Sequence, residues 1–215
     1  MVTAPNILTP EYIVDRWPKL FHMAEEGSWP SIQRHGLLST TALLDLYEIS
    51  GDERERIESR RRRDSVEVVH HSLGKVVIRD NKPINETVLR RTLVGIGEAD
   101  WYRTLNGRVF FWLTPERLSR LRNAPPYRER KHDILVVSTE SLMSAHADKV
   151  ELSPMNSGAV HPSADYTRGP MTFRSIATYE WKERVRTAPR EPIVELTLPY
   201  AVHDIAAHVI DVSTE

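Results

Sequence analysis

The chain contains no cysteine, which excludes disulfides, thiolate metal sites and a cysteine nucleophile. That composition suits a reducing compartment, and a cytoplasmic location is the expectation. Apolar runs are only a few residues long, so no membrane-spanning helix is expected. The opening stretch MVTAPNILTPEYIVDRW has neither a basic start nor an apolar core, so no secretory signal is expected. Neither sign of charge is in excess: 29 Lys and Arg stand against 30 Asp and Glu. A general, charge-driven grip on nucleic acid therefore finds no support, although a local basic groove stays compatible with it. Walker A, GxGxxG after a strand, HExxH and GxSxG motifs are all missing, which removes the common nucleotide, zinc-protease and hydrolase signatures.

What is present is the composition of a soluble globular protein: 215 residues, 40% hydrophobic and 27% charged. One domain over residues 1–215 with a substantial core is expected. Thr9-Pro10-Glu11 starts a helix running to about Trp17. Lys19 to Met23 follows as a strand, and Trp29 to His35 as a helix stopped by Gly36 in a left-handed C′ position. Ser39 caps a helix from Thr40 to Tyr47. Asp52 to Arg63 carries its acids early and Arg61-Arg62-Arg63 late, the pattern of a solvated surface helix, with an Arg-rich contact with phosphates as the alternative. Two strands, Val66 to His70 and Lys75 to Ile78, precede a helix from about Asn85 to Leu93. Arg108 to Leu113 is the most strand-like run, with a capped helix after Thr114-Pro115. A strand from Asp133 to Val137, a helix from Thr139 to His146 and a short strand at Val150 to Leu152 come next. A long loop over 158–170, rich in Gly, Pro, Ser and His, then leads toward a last strand in Pro192 to Pro199. Strands and helices mix without regular βαβ repetition, so the expected class is α+β.

Several polar residues sit where chemistry is possible, each with a plainer reading beside it. Glu195 lies between Val194 and Leu196, either turned to solvent by strand alternation or held in a cleft. His22 is either a strand histidine satisfied by a carbonyl or a site residue. Arg79, beside Asp80, either pairs in solvent or ends its strand in a cleft. Asn156-Ser157-Gly158 is either an ordinary turn or a polar cradle. Phe110-Phe111-Trp112 contributes mostly to a core, with alternation sending Phe111 opposite its neighbours. Trp101-Tyr102 and Trp181 either bury against a core, the plainer reading, or stack an acceptor base.

Four segments, in order, resemble the ADP-ribosyltransferase superfamily. They are Phe21-His22-Met23 with Ile32 and His35-Gly36-Leu37-Leu38; RVFFWLTPERL at 108–118; VELSPMNSGAV at 150–160 with Phe173 beyond; and PIVELTLPYAVHDI at 192–205. Within that superfamily they are similar to the DarT group, which modifies DNA bases, and to RNA 2′-phosphotransferases sharing its fold. They look most like an uncharacterised bacterial family with the same arrangement. Two departures stand out: Met23-Ala24 replaces a Thr-containing continuation, and the aromatic strand lacks the Arg-Ser-Pro run of DarT proteins.

The resemblance implies a split, mostly antiparallel sheet with flanking helices, and NAD as co-substrate. It implies that Glu195 drives cleavage of the nicotinamide–ribose bond and that His22 holds the dinucleotide, the two facing one cleft from adjacent central strands. Arg79 then suits the pyrophosphate through bidentate geometry. Phe111 is the candidate ring for nicotinamide, and Asn156 and Ser157 for its amide or a base. The implied acceptor is a nucleic-acid base, DNA favoured, or a protein side chain. A toxin of this kind implies a neutralising antitoxin protein. A 2′-phosphotransferase-like enzyme using the arginines of the Arg117 to Lys131 tract, and a non-catalytic nucleotide-binding module, remain alternatives.

Overall fold

The computed structural model describes residues 5–215. Eleven strands and nine α-helices follow in chain order among them. The strands are β1 Lys19–Glu25, β2 Leu37–Leu38, β3 Val66–His70, β4 Gly74–Ile78, β5 Arg108–Trp112 and β6 His132–Ser138. They continue with β7 Glu151–Ser153, β8 Arg174–Ser175, β9 Glu195–Pro199, β10 Ala201–Val202 and β11 Val209–Thr214. The helices are α1 Pro10–Arg16, α2 Trp29–His35, α3 Thr40–Leu46, α4 Gly51–Glu58 and α5 Glu86–Thr92. After them come α6 Glu98–Asn106, α7 Pro115–Arg122, α8 Thr139–His146 and α9 Trp181–Thr187. The class is α+β, and no helix among the described residues is long and apolar enough to cross a membrane.

Local chemistry sets most of the helix starts. Thr9, Ser39, Asn85, Thr114 and Ser138 each accept, through a side-chain oxygen, the N–H three residues on, at 3.1–3.3 Å. Each such cap stabilises its helix by about 1 kcal/mol. The charged segment differs from expectation. Helix α4 ends at Glu58 because Ser59 turns its hydroxyl back onto the Glu55 carbonyl and carboxylate, at 2.6 and 2.7 Å. Beyond it Arg62 enters the interior, only 9% exposed, and donates to the carbonyls of Arg79 and Ile57 and to Asn106 Oδ1.

Seven strands form the main sheet in the order β11-β6-β1-β5-β9-β7-β8, every neighbouring pair antiparallel. Strand β1 pairs with β6 along its whole length, from Lys19↔Ser138 to Glu25↔His132, and β5 pairs with β9 from Arg108↔Pro199 to Trp112↔Glu195. Between β1 and β5 there is a single register pair, Phe21↔Trp112. The sheet is thus two ladders joined at one point, and it opens beside that point.

Alternation sorts the side chains of both ladders. Leu20, Phe111, Leu135, Val137, Leu196 and Leu198 form the main core, closed by Ile13 of α1, Leu142 and Met143 of α8 and Trp181 of α9. On the other face Met23 and Ile134 pack under Leu118 of α7 and Tyr127. Trp101, Tyr102 and Leu105 of α6 join Leu89 of α5 and Phe173 in a third cluster, which Phe110 packs against. Leu44 of α3 and Ile57 of α4 pack against the β3–β4 hairpin through Val68 and Ile78. Each large apolar side chain so buried contributes about 1.5–3 kcal/mol before chain entropy is set against it.

Helix α2 ends on Gly36, at φ 89° and ψ 171°, rather than in the expected left-handed helical well. Only glycine occupies this region without strain. It lets the chain run straight into β2, which pairs with β10 through Leu38↔Ala201 and Leu37↔Val202. A Cβ here would lie 2.5 Å from His203 Cα and 2.9 Å from the Val202 carbonyl oxygen. Gly36→Ala is therefore expected to destabilise the protein by about 2–4 kcal/mol, read as a lowered urea midpoint. A cost below the error of that measurement would show that the α2–β2 junction is free to move.

Candidate active site

The opening between the two ladders leads into a cavity of about 390 Å³, within the size range of small-molecule sites. Its walls come from β1, β4, β5 and the N-terminal end of β9, with α3 and the loop after β7 closing it. His22, Arg79, Asn156 and Glu195 all line it. The sheet order sets one expectation aside: His22 and Glu195 stand on strands separated by β5, not on adjacent ones.

Where β1 and β5 part, main-chain carbonyls are bonded by side chains. His22 Nδ1 lies 2.9 Å from the Phe110 carbonyl oxygen, and Arg79 Nη1 donates to the Met23 carbonyl at 2.9 Å. A buried carbonyl without a partner is costly, so these two bonds make the opening tolerable. Because a carbonyl only accepts, Nδ1 carries the hydrogen and Nε2 keeps a lone pair. Burial pushes the imidazole pKa down to about 4, against the pull of the Phe110 carbonyl. The ring is neutral at pH 7 and offers an acceptor.

Arg79 is likewise held by the opening. Its guanidinium lies 4.8 Å over the Tyr127 ring, and Nη2 is buried without a hydrogen-bond partner among the described residues. Asp80 does not form the solvent pair that its neighbour suggests. It is 9% exposed and accepts from the Tyr127 hydroxyl at 3.3 Å. Burial lowers the Arg79 pKa, while a guanidinium remains charged at pH 7. A buried cation with a free donor is suited to an anionic ligand.

Glu195 is 3% exposed, opposite Trp112 on one side and Ser153 on the other. The turn after β7 brings the Ser157 N–H to both carboxylate oxygens, at 3.2 Å each. Burial nonetheless raises the carboxyl pKa to about 7, partly opposed by Ser157 and by the Arg117 charge. The long loop adds Arg168, 3% exposed, whose pKa is lowered by burial against the partial opposition of Glu195. Arg168 is tied down by the carbonyls of Tyr166 and Ala159, at 2.9 and 3.1 Å.

Two expected site residues take other places. Phe111 is 1% exposed in the main core, edge-on to the His22 ring at a centroid distance of 6.0 Å. Register explains this: Trp112 faces Glu195, so Phe110 and Trp112 share the cavity side and Phe111 points away. Ser157 is fully buried and positions Glu195 through its N–H instead of lining the cavity, which Asn156 and Gly158 do. Arg62, Arg108 and Glu25 line the cavity without having been anticipated. Arg108 stacks 4.3 Å from the Phe173 ring and pairs with Glu151 at 2.8 Å. In the Arg117 to Lys131 tract, Arg117 and Arg120 face Glu191, Arg122 faces Glu215, Arg128 faces Glu129 and Arg130 faces Glu25. The tract thus presents paired charge, not the free cationic cluster a phosphotransferase reading needs.

A family model matches residues 18–209, which include both β1 with His22 and β9 with Glu195. The chain belongs to this family, DUF7002, a family of unknown function. No curated protein and no solved structure gives a significant match. The family assignment thus adds extent but no activity, and the chemistry rests on the cavity.

The Glu195 environment has a measurable consequence. Between pH 4.5 and about 7 the folded chain holds a proton that the unfolded chain has released, so this residue's contribution to stability falls as pH rises through that window. Above pH 7 burying the ionised group costs about 3 kcal/mol. Glu195→Gln keeps an acceptor for the Ser157 N–H and cannot ionise. Relative to wild type it is expected to gain about 3 kcal/mol between pH 4 and pH 8 by urea unfolding. A difference that stays constant across that range would show that Glu195 titrates normally.

Proposed function

We propose that this cavity binds NAD and that the protein is an ADP-ribosyltransferase. The observation that carries the reading is the convergence on one cavity of a neutral histidine acceptor, a buried carboxylate and a guanidinium with a free donor. The ordered resemblance of the four segments to that superfamily supports it, as does a sheet that opens between two antiparallel ladders.

The roles follow from the chemistry of each group. Arg79 Nη2 offers a charged donor to the pyrophosphate, and His22 Nε2 accepts from a ribose hydroxyl. The bond between nicotinamide and ribose C1′ breaks with its electron pair leaving on nicotinamide, and positive charge develops on the ribose. A Glu195 carboxylate beside that ribose stabilises the charge, and its low-polarity surroundings make the effect stronger than it is in water. The acceptor's nitrogen or oxygen then bonds to C1′, and its proton passes to the carboxylate. Phe110 and Trp112, rather than Phe111, are the rings available to stack on nicotinamide or on an acceptor base. A nucleic-acid base, DNA favoured, is the proposed acceptor, with a protein side chain as the alternative. A toxin role, and an antitoxin partner with it, belong to the same proposal.

The test is incubation of the full chain with labelled NAD and separate DNA, RNA and protein acceptors, scoring nicotinamide release and acceptor labelling. Wild type is expected to be active, with a rate rising through pH about 7 as Glu195 ionises. Glu195→Gln is expected to lose about a hundredfold or more in turnover. Binding of NAD without release or transfer points to a non-catalytic module; no binding at millimolar NAD overturns the reading.

A further inference from the structure

Away from the cavity, three side chains converge from two segments. His146 ends α8, and Asp204 and His208 flank a 3-10 turn, Ile205–Ala207, that leads into β11. Their ligand atoms all lie within 4.8 Å of one another. His146 Nε2 is 2.8 Å from Asp204 Oδ1, and His208 Nε2 is 3.2 Å from Asp204 Oδ2. None of the three lines the cavity that holds Glu195.

We propose that His146, Asp204 and His208 form a divalent transition-metal site of the zinc class, which clips the end of α8 to the turn before β11. Four observations support it. Two imidazoles and a carboxylate are a donor set suited to zinc and its neighbours and poorly suited to magnesium or calcium. The His208–Asp204 separation of 3.2 Å is already close to the roughly 3.3 Å edge of a tetrahedron built on metal bonds of about 2.0–2.1 Å, and the His146–Asp204 pair at 2.8 Å has to open by about half an ångström. His208 is 5% exposed, and its buried Nε2, although 3.2 Å from Asp204 Oδ2, makes no hydrogen bond among the described residues, which suits a nitrogen aimed at a ligand. Its other ring nitrogen lies 2.7 Å from Ser141 Oγ, one turn back on α8. An Nδ1–H donated to that hydroxyl leaves the Nε2 lone pair free and fixes the ring, as outer partners of metal-bound histidines do.

The surroundings suit a structural clip with one position open to water. The Asp204 side chain is 48% exposed, so the ion has an entry path from solvent. The Ser138 N–H donates to the His208 carbonyl at 2.8 Å, so the segment is already docked at the end of β6 and little chain ordering remains for binding.

The experiment takes the full chain stripped with a chelator and adds zinc, with cobalt and magnesium as further probes. Bound metal is counted after desalting, and the melting temperature is followed. The expected result is one zinc per chain, a raised melting temperature and no response to magnesium. Asp204→Asn, at an exposed position, and His146→Gln, which keeps a polar side chain at a half-buried one, are each expected to weaken zinc binding at least tenfold. His71→Ala, in the separate His70-His71 pair whose rings lie 4.2 Å apart, is expected to leave binding unchanged. Absence of stoichiometric zinc in wild type, or equal binding by wild type and both variants, overturns the proposal. The three residues are then a cluster held by the His146–Asp204 hydrogen bond alone. Neither outcome bears on NAD chemistry, which is read separately by nicotinamide release.

Discussion

The structure depends on a ladder that fails to close. Strands β1 and β5 share one register pair, Phe21↔Trp112, while their outer neighbours pair along whole strands. An opening in the middle of a sheet leaves main-chain carbonyls without strand partners, and a dry opening of that kind would be expensive. Here the partners are a histidine ring on Phe110 and a guanidinium on Met23. The same two bonds fix the unused faces of those groups toward the cavity. Structural repair of the sheet and preorganisation of the site are one arrangement.

Glu195 completes that arrangement from the other ladder. Its strand is buried by the pairing of β9 between β5 and β7, and the turn leaving β7 returns one N–H to the carboxylate. One shared N–H does not offset full burial, and the result is a group close to its protonation midpoint near neutral pH. His22 is shifted in the opposite sense by the same cause, since burial disfavours the charged form of each. The cavity therefore holds a neutral acceptor and a switchable carboxylate, with positive charge supplied by arginine. In the proposed reaction that division of roles serves an oxocarbenium-like transition state.

Much of this is legible in the residues, for identifiable reasons. The caps at Thr9, Ser39 and Thr114 act over three residues, so local pattern finds them. The α+β class follows from element order. Phe111 shows where the pattern stops helping: alternation separates it from Phe110 and Trp112, but only the pairing with β9 says which side is the cavity. Arg62 is hidden in a run of four arginines, Arg60 to Arg63, and nothing local marks which one turns inward to the carbonyls of Ile57 and Arg79. Helix α6 was signalled by Gly97, by acids in its first turn and by the spacing of Trp101 and Leu105, a cue that the core reading of Trp101-Tyr102 did not extend to a helix. Ser157 acts through its main chain, which no side-chain pattern reveals.

The most direct measurement is a crystal structure of the Glu195→Gln variant with NAD, in which the proposed reaction predicts that cleavage is blocked and binding retained. The account predicts a dinucleotide in the opening between β1 and β5, its pyrophosphate on Arg79 Nη2, and the nicotinamide ribose within hydrogen-bond reach of His22 Nε2 and residue 195. A dinucleotide bound elsewhere, or an opening that stays empty at saturating NAD, would contradict it.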